Sequence, residues 1–170
     1  MIASFQSWNS KSLLLSHLAE CPVSVVIGRD VEAPRGYYSS SLEGISHPIQ
    51  IGIIVNQQKA PSLLLLPLAR RIFVGHDQSI SIVDLESSSL LKTTLLEGIF
   101  FEFLHIEEMG LILVLHELGC MALSEQGEVL WRYITRDILE GWSVVGNRLK
   151  LIIMDDDTSV ILSLENGALA

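Results

Sequence analysis

Two histidine–acid pairs and one run of acids interrupt the apolar segments of this sequence: His76-Asp77, His116-Glu117 and Asp155-Asp156-Asp157. Imidazole beside carboxylate is a donor set that suits zinc or iron. No His-x-x-x-His or other close ligand pair accompanies them, and the aspartate run lacks the alternating ligands and glycine of a calcium loop. A metal would need all three segments to converge in space, so the expectation is no metal and no cofactor. Covalent catalysis has less to stand on. There is no Gly-x-Ser-x-Gly elbow, neither Cys21 nor Cys120 has a histidine at a telling position, and Gly28 lacks the Gly-x-Gly-x-x-Gly context of a dinucleotide site. Glu107 and Glu108 are adjacent, so on a strand they would face opposite sides; they read as a turn, not as paired glycosidase carboxylates. The sequence reads as that of a non-enzyme. A small-ligand or metal-binding enzyme built on the His76 and His116 turns is the alternative these pairs leave open.

The elements that would position these residues are strands. Helical spacing is found in one place, Ser10 to Glu20, where Leu13, Leu14, His17 and Leu18 share a face. Beyond it, β-branched and leucine-rich runs alternate with Gly, Asn, Asp and Ser. "VSVVIG", "IQIGIIVN", "SLLLLPL", "RIFVGH", "SISIVDL" and "LLKTTLL" come first; "IFFEFLHI", "LILVLHE", "CMALS", "EVLWRYI", "WSVVG", "LKLIIMD" and "SVILSL" follow. That is the pattern of an all-β chain. Arg29 to Pro48 is the least regular stretch and reads as a loop excursion, which would expose Tyr37 and Tyr38 beside Arg35 for contact with a partner.

The runs repeat. Ile72 falls on Leu111 (111 − 72 = 39) and Leu111 on Leu151 (151 − 111 = 40), which places Glu86, Glu125 and Glu165 in one recurring turn. Four-strand units of about 40 residues are the mark of propeller blades. The clearest copy, "ALSEQGEVLW" from Ala122, resembles propeller repeats of the PQQ-like and WD40-like kind. In the PQQ-like pattern an Ala-Leu-Asp run, a turn glycine and a Leu-Trp pair follow in that order, and Ser124 stands where the pattern has Asp. "IVDLESSSLL" and "ILSLENGAL" are weaker copies. The resemblance covers Ser62 to Ala170 and implies blade-like antiparallel β-meanders, a small or incomplete propeller-like array. It says little about function, because propellers host many activities. A β-sandwich is the alternative fold.

The expected organisation is one domain over 1–170. An irregular part spans 1–61, where "VSVVIG" and "IQIGIIVN" are the visible strands of a degenerate fourth blade, and three repeats span 62–170. The third repeat has no fourth run before Ala170, so a structural subunit that oligomerises through open sheet edges is a further alternative. In this register Trp131, Tyr133 and Trp142 pack between sheets.

With 20 acidic and 11 basic side chains, the formal charge is −9, which repels a phosphate backbone and argues against nucleic acid as a partner. Hairpin turns and crossovers of a stacked meander share one rim. There the register puts Asp77, Glu97, Glu117, Asp137, Glu140, Asp155, Asp156 and Asp157 against Arg136 alone. Such a rim focuses negative potential toward a basic protein. Acidic residues are also ordinary in turns, and solubility is the plain alternative. The profile is acidic, small and without catalytic motifs. In that it is similar to the immunity proteins with which bacteria neutralise basic nuclease toxins, and the similarity implies a non-catalytic inhibitor, a monomer or small homo-oligomer. Only two cysteines and no basic-then-apolar leader point to a reducing cytoplasm. No run approaches the roughly 18 apolar residues that cross a membrane, so no membrane partner is expected.

Overall fold

The structure is a computed structural model that describes residues 5–29, 32–42, 48–154 and 159–170. Every apolar run named above forms a strand, and the chain groups into two compact units, Met1–Thr94 and Leu95–Ala170. Among the described residues no helix is long and apolar enough to cross a membrane.

The first unit holds two sheets. One contains β1 (Phe5–Trp8), β2 (Ser24–Ile27), β3 (Gly36–Leu42) and β4 (Ile49–Val55) in the order β1-β3-β4-β2, with β2 parallel to β4. The other is a plain meander of β5 (Ser62–Leu66), β6 (Arg71–His76), β7 (Ser79–Asp84) and β8 (Ser89–Leu95). Strand alternation decides what each face of β4 meets. Ile51, Ile53 and Val55 pack with Ile72, Val74 and Val83 of the meander. Ile54 instead meets Leu14 and Leu18 of helix α1 (Lys11–Leu18). Ser10 caps that helix, its hydroxyl accepting from the Leu13 N–H at 3.3 Å, which satisfies one of the donors a helix start leaves open. A Cβ on Gly52 would lie 2.5 Å from Leu18 Cδ1, so glycine is what lets the helix lie against β4. Burying Leu14 and Leu18 contributes about 1.5–3 kcal/mol each.

The expected loop around Tyr37 and Tyr38 is in fact β3. It pairs with β1 on one side and β4 on the other, and both tyrosines are half-buried. Tyr38 meets Phe5 edge-on (ring centroids 6.5 Å apart, 83° between planes), and Tyr37 packs with the α1 cluster. Of the serines that disguise this strand, Ser39 and Ser40 are buried, and Ser39 Oγ accepts from Trp8 Nε1 at 2.9 Å.

In the second unit, β9 (Phe100–Ile106), β10 (Leu111–His116), β11 (Gly119–Ser124) and β12 (Val129–Ile134) form one meander. A three-stranded sheet follows, of β13 (Leu139–Val145), β14 (Arg148–Ile153) and β15 (Ser159–Ser163). Leu111, Leu113, Leu115, Cys120, Ala122 and Trp131 pack with Leu149, Leu151 and Leu162 between the two sheets. Burial pushes the Cys120 thiol up to about 12, so it stays protonated and inert. Trp131 is buried, and its Nε1 donates to the Leu164 carbonyl at 3.0 Å. Trp142 stacks on Phe101 (5.8 Å, 21°) and donates to Glu102 Oε1 at 2.5 Å. Glu107 and Glu108 do form a turn, the 3-10 turn Glu107–Met109. The β15 edge is partly covered: Leu169 bridges Leu162, and the Ala170 N–H donates to Ile161 at 2.9 Å.

Four separate sheets, three of them consecutive meanders, replace the sandwich alternative. Strand pairing also corrects the repeat register. The hairpins pair His76 with Ser79 and His116 with Gly119, so His76 corresponds to His116 (116 − 76 = 40) and Ile72 to Ile112, not to Leu111. A one-residue slip exchanges the two faces of a strand, so the difference is not cosmetic. Asp84 then takes the aspartate position of the repeat pattern, and Ser124 is its replacement. Both act alike. Asp84 Oδ1 accepts from the Glu86 and Ser87 N–H groups at 3.0 and 2.7 Å, and Ser124 Oγ accepts from Glu128 N–H at 3.1 Å. Ser163 does the same for Glu165 at 3.3 Å. Glu86, Glu125 and Glu165 do share this recurrent turn, held by Arg70 (2.6 Å), His105 (2.8 Å) and Asn147 (3.2 Å) in turn.

Candidate functional site

The β6–β7 hairpin turns on Asp77, whose φ of 48° lies in the left-handed region that aspartate tolerates better than most residues. Its Oδ1 accepts from the backbone N–H groups of Asn56 and Gln57 at 2.8 and 3.0 Å, and Oδ2 accepts from Asn56 Nδ2 at 3.3 Å. Burial pushes the Asp77 carboxyl up, but the neighbouring His76 imidazole and the hydrogen bonds from Asn56 and Gln57 outweigh it and leave the group below its ordinary 3.8. The carboxylate thus clamps the segment that leads from β4 into the next sheet. His76 is buried, with Nε2 3.2 Å from Ser79 Oγ and 3.4 Å from Ser81 Oγ. Its Nδ1 lies 3.5 Å from Asp77 Oδ2, too long and poorly aligned to complete a hydrogen bond.

The equivalent turn of the second unit is more loosely tied. Glu117 Oε2 accepts from the Ile99 N–H at 3.3 Å, and its own N–H donates to Ile99 O at 2.8 Å. The Glu117 carbonyl accepts from Leu139 N–H (2.8 Å) and that of Leu118 from Thr135 N–H (3.0 Å), so two crossovers are stitched to one hairpin. Gly98 makes this approach feasible, since a Cβ there would stand 2.7 Å from Glu117 Cβ. Above the turn, the exposed Glu97 accepts from Arg132 Nη1 at 3.0 Å and lies 3.6 Å from Nε2 of the buried His116. Desolvation holds His116 below its ordinary 6.5; Arg132 adds to that, while Glu97 and Glu117 oppose it. Asp137 spends Oδ1 on the Ile138 N–H at 2.7 Å. Glu140 lies within β13, not in the crossover. It is the residue skipped where pairing shifts between Leu139 and Gly141, and it is exposed.

Glu97, Glu117, Asp137 and Glu140 therefore gather along one edge of the second unit, with Arg132 and Arg136 as the neighbouring cations. Asp77 belongs to the first unit, and Tyr37 and Tyr38 to its interior pairing. Asp155, Asp156 and Asp157 lie outside the described residues. His76 and His116 fall in different units, and among the described residues no three His, Cys, Asp or Glu side chains gather as metal ligands. The clamp at Asp77 was not readable in advance: its partners are 20 and 21 residues away and carry no motif.

No protein-family model matches the chain, and no curated protein does. Among solved structures it is similar to the hydrazine synthase of Kuenenia stuttgartiensis (TM-score 0.54, 10% identity, covering 88% of this chain and 47% of that one). It is also similar to dihydro-heme d1 dehydrogenase NirN in complex with DHE (TM-score 0.50, 8% identity, covering 81% and 34%). Both neighbours are β-propeller-like. This chain's fold is propeller-like. The chain spans less than half the length of either neighbour, and at such identities the likeness concerns fold alone.

Proposed function

We propose that this chain is a non-catalytic protein-binding module whose acidic edge in the second unit docks a basic protein. The concrete form is a cytoplasmic inhibitor, monomeric or a small homo-oligomer, that neutralises a basic toxin such as a nuclease. What supports the reading is how the edge is built. Glu97, Glu117 and Asp137 project from turns whose backbones are hydrogen-bonded to one another, and Glu140 from the adjoining strand β13, so the backbone that carries these charges is fixed before any partner arrives. Preorganised charge raises encounter rate and costs little ordering on binding. Glu140 has no hydrogen bond or ion pair among the described residues and is the carboxylate freest to meet a cation.

The test first asks whether a basic nuclease domain is encoded beside this chain's gene, whose absence would count against the inhibitor reading, and then uses that domain as probe. Binding should weaken as salt rises, and Glu140→Lys should cost about tenfold in affinity, mostly through slower association. Affinity that ignores both salt and the substitution would remove the acidic edge from consideration.

A further inference from the structure

Two outer strands present more hydrocarbon to solvent than an ordinary sheet edge. Among the described residues β8 neighbours only β7, and its Leu90, Leu91 and Leu95 are 43%, 48% and 62% exposed. Leu90 and Leu91 are consecutive, so they stand on opposite faces of the strand, and both faces of this edge are apolar. β12 is the corresponding edge of its own sheet, with Val129, Leu130 and Ile134 exposed. Each strand carries one cation at the same place, Lys92 and Arg132 (132 − 92 = 40). Their situations differ. Arg132 is bound to Glu97, whereas Lys92 is exposed and makes no ion pair among the described residues.

We infer that the free edge of β8 receives an extended segment of a partner protein, with a carboxylate opposite Lys92 between apolar or β-branched residues. An unpaired edge offers a row of N–H and C=O groups, and an added strand takes its affinity from that row. Opposite charges facing each other across strands strengthen the pairing, and like charges weaken it. The same rule tells against a second copy of this chain, because antiparallel β8–β8 pairing centred on the strand sets Lys92 against Lys92. A lysine is also a common device for keeping an edge unpaired. Here it stands among three exposed leucines on both faces, which a blocked edge does not need. The inference is independent of the acidic edge of the second unit, since the partner it requires bears the opposite charge.

The probe is a short synthetic peptide of alternating valine and threonine with one central glutamate, N-methylated on alternate amides so that only one of its edges can pair. A second peptide carries lysine at the centre. In an NMR titration of the whole chain, the glutamate peptide should shift resonances of Ser89–Leu95 and slow exchange of the β8 edge amides. Lys92→Glu should weaken that peptide about fivefold or more and strengthen the lysine peptide similarly. The exposed site makes this variant safe for folding. Absence of β8 shifts at millimolar peptide overturns the inference, as does equal affinity of the unaltered chain for both peptides. So does a concentration-dependent dimer in sedimentation that the peptide fails to dissociate.

Discussion

The hairpin that turns at Asp77 and the one that turns at Glu117 occupy the same place in two successive repeats, and each sets a buried histidine before an acid. In the first, a short carboxylate reaches two backbone N–H groups and a side-chain amide, and the imidazole rests on two serines. In the second, the longer carboxylate takes one N–H, and glycine and methionine replace the serines at 119 and 121. The imidazole there faces Glu97 instead, on the exposed edge. Similar residue types thus serve two ends: one turn spends its charge on closing the fold, the other keeps charge at the surface. Side-chain length and the two positions after the turn decide which.

Breaking the first turn should have the largest effect. Asp77→Ala removes a charged acceptor from three donors and should lower unfolding free energy by about 2–3 kcal/mol in urea denaturation. Glu117→Ala should cost about 1 kcal/mol or less, and equal costs would erase the contrast. Next come the imidazoles. His76→Phe removes one of two partners from each of Ser79 and Ser81, which keep the carbonyl of residue 76 and Thr93, and should destabilise by about 1 kcal/mol. His116→Phe removes a ring whose Nδ1 is buried without a partner, so stability should hold or rise slightly.

Acid separates the turns more finely. His116 binds its proton more weakly folded than unfolded, so its contribution is complete above 6.5 and is lost as pH falls below that value toward the folded one. Asp77 is held below 3.8, so its contribution is present above 3.8 and is lost as pH falls through the lower folded value. Thermal melts across pH should show two acid steps, and His116→Phe should abolish only the first. Smallest of all, Glu97→Gln should shift stability by under about 0.5 kcal/mol, because its pairing with Arg132 is solvent-exposed.

The strands were legible because aliphatic runs and turn residues alternate so regularly. β3 was not, since "GYYSSSL" buries two serines and half-buries two tyrosines, and Ser39 is satisfied by Trp8, 31 residues distant. The recurrent glutamate turn was legible through its spacing, yet the strand register slipped by one because every position from Leu111 to His116 is buried and either face could be matched. The acidic edge was half legible. Glu97, Glu117 and Asp137 follow from turn positions, whereas Glu140 depends on a pairing shift and the Asp77 clamp on a segment far away in sequence.

Gly167, at φ 68°, rests on the Trp131 ring so closely that a Cβ there would come within 2.6 Å of Cε3. The indole is therefore roofed by the closing turn of the last sheet, and its N–H is tied to that sheet at Leu164. Detachment of those final strands would wet the ring and move its emission to longer wavelength. With Trp8→Phe, the remaining fluorescence comes from the second unit alone, which turns this contact into an optical gauge of whether its two sheets stay together.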